Sequence, residues 1–176
     1  MEFRKVNDIK YSFEKISSID IELIEEFSCG SYELDKKLAE MKVNDEGTTV
    51  IFFDETNNQI IGYCTYSTSG LKKSYQNDSI TYPAAEIKYF AIDENYQHKS
   101  YDEDFNFSDL MLCEIMKKLL EISENVISFD YILLYSVPDA VSFYERNGFS
   151  KFDEFMEKDS YIYIDGCVPM FFVLSL

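Results

Sequence analysis

The chain has 176 residues, 46% of them hydrophobic and 16% aromatic, which supports a single packed domain spanning 1–176. Sixteen basic residues against 33 acidic ones give a net charge of −17, a field that repels nucleic acid and attracts cations. No apolar run reaches the roughly 18–20 residues that cross a bilayer, and Met1-Glu2-Phe3-Arg4-Lys5 opens no apolar signal-peptide core, so no membrane partner and a cytoplasmic location are expected.

Cysteines stand at Cys29, Cys64, Cys113 and Cys167, none of them in a C-x-x-C pair, and His98 is the sole histidine. A zinc site needs about four clustered ligands, so no metal is expected. The cysteines read as reduced and mostly buried, and no local motif points to a cysteine nucleophile.

Residues 3–7 suit a short first strand. Ser17-Ser18-Ile19-Asp20 precedes apolar residues at 21, 23, 24 and 27, the pattern of a capped helix ending before Cys29-Gly30. Ser31 then caps a second helix from Tyr32 to about Val43, with Leu34, Leu38 and Met41 on one face. Thr48–Phe53 is rich in β-branched and aromatic residues and reads as a strand. A turn at 55–59 leads into a strand from Ile60 to Thr68, with Gly62 at a bulge. Ala85–Ile92 is the fourth strand. Leu110–Ile122 is a helix with apolar residues nearly all round, hence buried. A strand at 131–135, a helix at 139–147, and strands near 149–156 and 168–175 complete the order. The strands at 86–92 and 131–135, joined through a helix, are expected to be adjacent and parallel through a right-handed crossover.

Val137-Pro138-Asp139-Ala140-Val141-Ser142-Phe143-Tyr144-Glu145-Arg146-Asn147-Gly148-Phe149 follows the apolar run Tyr131–Tyr135, and Gly148 suits the left-handed residue that stops a helix. This A-x-x-x-Y-x-x-x-G-F arrangement resembles the C-terminal signature of the GNAT family of N-acetyltransferases. Phe27-Ser28-Cys29-Gly30-Ser31-Tyr32-Glu33-Leu34-Asp35-Lys36-Lys37-Leu38 resembles the F-x-C-G-x-x-x-L-x-x-x-L opening of one branch of that family, and Val168-Pro169-Met170-Phe171 resembles the same branch. That branch includes bacterial toxins that modify aminoacyl-tRNA.

The resemblance implies an α/β fold, the GNAT (acyl-CoA N-acyltransferase) fold: a mixed twisted sheet with helices on both faces. It implies acetyl-CoA as co-substrate and transfer of its acetyl group to a primary amine. Tyr144 would protonate the departing thiolate, and Glu86, at the start of the fourth strand, or a water would take the amine proton. Phe90, Ala91 and Ile92 match positions whose backbone faces the cofactor. Gln97 matches the first position of the family's Q/R-x-x-G-x-G/A phosphate motif, but the glycines are absent. Phe105 and Phe107 stand near their places, and the intervening insertion carries Asp102, Glu103 and Asp104. Lys99, Ser108 as helix N-cap, and the helix N-terminus remain for phosphate.

With the charge of −17, the expected acceptor is a small cationic amine or a peptide, and nucleic acid is not expected. Two other readings stay open. The opening motif favours a toxin-like transferase acting on aminoacyl-tRNA, and the altered phosphate loop favours a non-catalytic binding protein on the same fold.

Overall fold

The computed structural model describes residues 9–43, 46–76, 78–152 and 166–174. Its elements are β1 (Tyr11–Lys15), α1 (Ile21–Glu26), α2 (Tyr32–Met41), β2 (Thr48–Asp54), β3 (Gln59–Tyr75), β4 (Asp78–Ile92), α3 (Phe107–Asn125), β5 (Tyr131–Ser136), α4 (Val141–Arg146), β6 (Ser150–Lys151) and β7 (Val168–Val173). Hydrogen-bonded neighbours follow the order β1-β2-β3-β4-β5-β7-β6. The β4–β5 pair is parallel, from Ala84↔Tyr131 to Ile87↔Leu134. The pairs β1–β2, β2–β3, β5–β7 and β6–β7 are antiparallel, so the sheet is mixed, as expected. Among the described residues no helix is long and apolar enough to cross a membrane.

The chain divides into two compact units. One comprises the residues up to Tyr66 together with Tyr89–Lys117; the other comprises Ser67–Lys88 and the residues from Lys118 onward.

In the first unit β2 is buried on both faces, which explains its unbroken apolar run. Ile51 is registered opposite Tyr63, and their face carries a core with Ile24 and Phe27 at α1 and Leu38 and Met41 on α2. Burying each such side chain stabilises the fold by about 1.5–3 kcal/mol. Phe52 and Gly62 face the other way, where α3 lies: a Cβ on Gly62 would meet the Ala91 carbonyl oxygen at 2.5 Å and Met111 Sδ at 2.9 Å. Helices thus cover both faces of this unit. Gly62 also adjoins the expected bulge. Phe52 pairs with Gly62 and Phe53 with Ile60, so Ile61 is the extra residue, and its carbonyl instead accepts from the Asp93 N–H at 2.9 Å. Lys42, at the end of α2, donates to the carbonyls of Ile16, Ser17 and Ile19 at 2.5–3.1 Å and ties the 3-10 turn before α1 to α2.

In the second unit Leu71, Ala84, Leu133 and Phe152 form a smaller core, flanked by Tyr82, Tyr131 and Phe171. The stop of α4 is a complete Schellman motif. Phe149 N–H donates to the Tyr144 carbonyl and Gly148 N–H to the Glu145 carbonyl, both at 3.1 Å. Gly148 has φ +91°, and a Cβ there would lie 2.9 Å from Phe172 Cε2, so conformation and space both require glycine.

Several expectations need correction. The strand expected at 3–7 lies outside the described residues, and a strand at Tyr11–Lys15 was not foreseen. The β3 and β4 strands are longer than expected, running from Gln59 to Tyr75 and from Asp78 to Ile92. The helix α3 is not apolar all round: Met111, Leu112, Ile115 and Leu119 are buried, while Lys117, Lys118 and Glu121 are exposed. It also starts at Phe107, so Ser108 sits inside its first turn rather than at its N-cap. Of the strand expected at 149–156, β6 is Ser150–Lys151, and residues 153–156 lie outside the described residues.

Candidate active site

Phe90, Ala91 and Ile92 are the last three residues of β4, and all belong to the first unit with Gln97, Lys99 and Ser108. Beyond Ile92 the chain makes a tight turn around Asp93. The Asp93 carboxylate is buried; it accepts from the backbone N–H of Asn95 at 2.8 Å and of Ser28 at 3.1 Å. The Glu94 N–H returns to the Ser28 carbonyl at 2.8 Å. Gln97 donates through Nε2 to the carbonyls of Ile92 and Cys29, both at 2.8 Å. The segment Phe27–Gly30 is therefore latched onto the turn that follows β4. Gly30, at φ +81°, completes the latch, since a Cβ there would crowd Glu94 Oε1 at 3.1 Å.

This arrangement changes the role expected of Gln97. Its amide nitrogen is committed to two protein carbonyls, one of them on Ile92, and it fixes the end of β4. His98, next to it, is exposed with φ +56°, a turn residue. The Lys99 carbonyl accepts from the Phe107 N–H at 3.1 Å, while its side chain is exposed. Ser108 is half-buried.

The acidic insertion is a compact hairpin. Ser100 and Asn106 form an antiparallel bridge, Tyr101 N–H donates to the Phe105 carbonyl at 2.8 Å, and the Asp102 carboxylate accepts from the N–H groups of Asp104 and Phe105 at 2.9 and 2.8 Å. Glu103 and Asp104 point to solvent. Phe107 is only 1% exposed and packs edge-on against Tyr96 and Tyr101 at 5.2 and 5.6 Å. It is a core residue rather than a blocked phosphate-loop position, and its N–H is already used. Lys99, with its side chain exposed, and Ser108, in the first turn of α3, stand on either side of the hairpin.

A buried polar pair, Asp54 and Tyr96, adjoins this turn in the same unit. Asp54 accepts from Thr56 N–H, Asn57 N–H, Asn57 Nδ2 and Tyr96 hydroxyl at 2.7–3.0 Å. Burial alone would raise its carboxyl; the hydrogen bonds from Asn57, Tyr96 and Thr56 outweigh that and hold it below the usual carboxylate range. Burial, then the Asp54 hydrogen bond and charge, raise the Tyr96 phenol. Burial pushes the Cys29 thiol up to about 12, with its Asp35 neighbour adding to the shift, so this cysteine is no ready nucleophile. Alongside α1, a groove of about 280 Å³ is lined in part by Glu14, Asp20, Leu23, Phe53 and Glu55. Among the described residues no cluster of His, Cys, Asp and Glu could hold a metal ion.

Glu86 and Tyr144 belong to the second unit. Glu86 lies on β4 opposite Leu133 of β5, half-buried. Tyr144 lies on α4, 8% exposed, its ring edge-on to Phe143 at 4.9 Å and Phe149 at 5.7 Å. Burial, and then the Glu86 charge, push the neighbouring Tyr135 phenol up to about 12. Sequence reasoning passed over Tyr135 as one residue of an apolar strand. The signal that finds it is alternation: Tyr131, Leu133 and Tyr135 share the face onto which Glu86 projects.

No protein-family profile matches the chain, and no curated protein matches its sequence. Solved structures do match its fold. A bacterial toxin structure superposes with a TM-score of 0.73 at 18% identity, over 94% of this chain and 90% of that one. The structure of AtaTR bound with AcCoA superposes at 0.69 and 17% identity, over 94% of each chain. AtaT complexed with acetyl-methionyl-tRNAfMet superposes at 0.68 and 16% identity, over 93% of this chain and 95% of that one. The chain has the fold of these structures, the α/β GNAT fold that its motifs imply.

Proposed function

We propose that the protein is an acetyl-CoA-dependent N-acetyltransferase whose acceptor is the amino group of an aminoacyl-tRNA. The observation that carries this reading is the fold shared over nearly the whole chain with AtaT, caught with an acetylated aminoacyl-tRNA. Fold alone does not fix function, so residue placement adds the second support. Tyr144 sits on a helix closed by the motif that the signature requires, and β4 and β5 are parallel neighbours.

Acetyl-CoA supplies the activated thioester. The backbone at Phe90, Ala91 and Ile92 would receive its pantetheine arm, with Lys99 and Ser108 toward its phosphates. The acceptor ammonium first loses one proton to Glu86 or a water, which frees the nitrogen lone pair to form the C–N bond, and the nitrogen gives up a second proton to solvent as the tetrahedral intermediate collapses. The C–S bond breaks, and sulfur leaves with that electron pair. Tyr144 gives the thiolate a proton and regains one from solvent. A neutral phenol carries the O–H proton that a thiolate can accept.

The charge balance by itself ranks a small cation above a polyanion, and the neighbouring structures favour the reverse order. A charge of −17 is a sum over the whole surface. At physiological salt its field is screened beyond about 8 Å, so a polyanion meets local groups rather than the total. A second reading, a small cationic amine as acceptor, draws support from the groove by α1, with Glu14, Asp20 and Glu55 in its lining.

Incubation with radiolabelled acetyl-CoA and either methionyl-tRNA or spermidine separates the two. Label in the tRNA fraction supports the first reading, and label on spermidine alone supports the second. Acetyl-CoA binding without any transfer would point to the non-catalytic alternative, and no binding at all would sink both transferase readings.

A further inference from the structure

Glu86 and Tyr135 sit together where the parallel ladder of the second unit ends. The last registered pair is Ile87↔Leu134. Glu86 precedes it on β4, and Tyr135 follows it on β5. Alternation turns Glu86, Leu133 and Tyr135 to one face, the face of the Leu71, Ala84 and Phe171 core. The stop of α4 packs on the opposite face, through Gly148 and Phe149 against Phe172, the partner of Ile132. Glu86 and Tyr135 are therefore turned away from the α4 side.

Both side chains are half-buried. Among the described residues neither the Glu86 carboxylate nor the Tyr135 hydroxyl has a hydrogen-bond partner, and no buried polar side-chain atom is left unsatisfied, so both groups end in solvent. A carboxylate beside a partly buried phenol usually shares the phenol's proton in a hydrogen bond; here each keeps its acceptor positions open. The phenol also stays neutral, because burial and the Glu86 charge both oppose its ionisation. One negative acceptor and one neutral acceptor side by side match an ammonium or amine, which presents several N–H donors.

We propose that Tyr135 is the acceptor-positioning partner of Glu86, the phenol oxygen and the carboxylate together seating the primary amine that receives the acetyl group. The inference rests on the acetyltransferase reading above, and it adds a residue that contacts the acceptor. Tyr135 takes no proton. It holds one N–H, so that the proton bound for Glu86 lies on the other side of the nitrogen.

The test uses the full-length protein carrying ring-labelled tyrosine and the probe L-methioninamide, followed by NMR. The Tyr135 ring signal is identified by its loss in Tyr135→Phe. It should move on addition of methioninamide and stay still on addition of N-acetyl-methioninamide, which has neither the charge nor the free amine. In Glu86→Gln the methioninamide midpoint should rise about tenfold, the loss expected of one charge-assisted hydrogen bond. A Tyr135 signal indifferent to methioninamide overturns the proposal, as does an unchanged midpoint in Glu86→Gln. A purely structural Tyr135 would respond equally to both probes or to neither. Movement of the signal in a protein that transfers no acetyl group would support the amine seat and count against the acetyltransferase reading alone. Active protein with an indifferent signal would sink the seat alone.

Discussion

The Gln97 side chain donates to the carbonyl of Cys29, 68 positions away, at 2.8 Å. The same nitrogen holds the Ile92 carbonyl, so one amide joins the opening motif to the end of β4. The cysteine–glycine step of that motif needs no catalytic explanation: Cys29 offers a carbonyl, and Gly30 supplies a left-handed turn beside Glu94.

Gln97→Ala leaves two carbonyls without this donor. Each unpaired polar group costs about 1–3 kcal/mol, and partial access of water to a half-buried site puts the expected loss near the lower figure for each. Gln97→Glu should cost more at neutral pH, since a carboxylate would then face two carbonyl oxygens. Urea unfolding midpoints measure both. A Gln97→Glu variant as stable as the parent would remove Gln97 from the latch.

The Asp54–Tyr96 pair predicts stability lost at both ends of the pH scale. Asp54 has its folded pKa lowered, so its contribution is full above about 4 and disappears as pH falls through the folded value. Tyr96 has its folded pKa raised, so its contribution is full below about 10 and is lost as pH rises from there. Tyr96→Phe removes one donor from Asp54 and should cost about 1–2 kcal/mol at neutral pH. It should also flatten the alkaline limb of a stability–pH curve. An alkaline limb unchanged in Tyr96→Phe would place the titration elsewhere.

The elements legible in the sequence were those whose local pattern and tertiary role coincide. The stop at Gly148 is one: the left-handed φ that glycine permits is also where Phe172 leaves no room for a Cβ. The apolar run of β2 is another, because both its faces are covered. The burial of Phe107 was not legible, because Phe107 is held by Tyr96 and Tyr101, and such a contact has no local signature. The strand Tyr11–Lys15 was missed although its alternation is a strand signal: Tyr11 and Phe13 turn to one face, where both rings meet Phe52, and Ser12 and Glu14 turn to the other.

Tyr144→Phe keeps the ring between Phe143 and Phe149, so the aromatic packing of α4 is conserved. If Tyr144 protonates the leaving thiolate, turnover should fall by about 10²–10⁴-fold with acetyl-CoA affinity nearly unchanged. Single-turnover transfer together with calorimetric titration of acetyl-CoA separates the two effects. A matching loss of affinity would assign Tyr144 to binding, and an undiminished chemical step would remove it from the mechanism.

The Ser100–Asn106 hairpin predicts weak acetyl-CoA binding that depends on salt. Its exposed carboxylates, Glu103 and Asp104, would oppose a pyrophosphate held by Lys99 and Ser108, whereas Asp102 holds the hairpin itself through two backbone N–H groups. The informative variant is therefore Glu103→Gln with Asp104→Asn, leaving Asp102 in place. Replacing Phe107 by glycine is the wrong experiment, because emptying a buried aromatic site costs about 3–5 kcal/mol and would unsettle the start of α3. Removing two surface charges should tighten acetyl-CoA binding by about two- to tenfold at low salt. The gain should vanish toward 1 M salt, where the Debye length is about 3 Å. Analogues without the pyrophosphate, such as acetyl-pantetheine, should show no gain at any salt concentration. An equal gain for acetyl-pantetheine would mean that the hairpin acts on the thioester arm, and no gain for acetyl-CoA at low salt would place the phosphates away from the hairpin altogether.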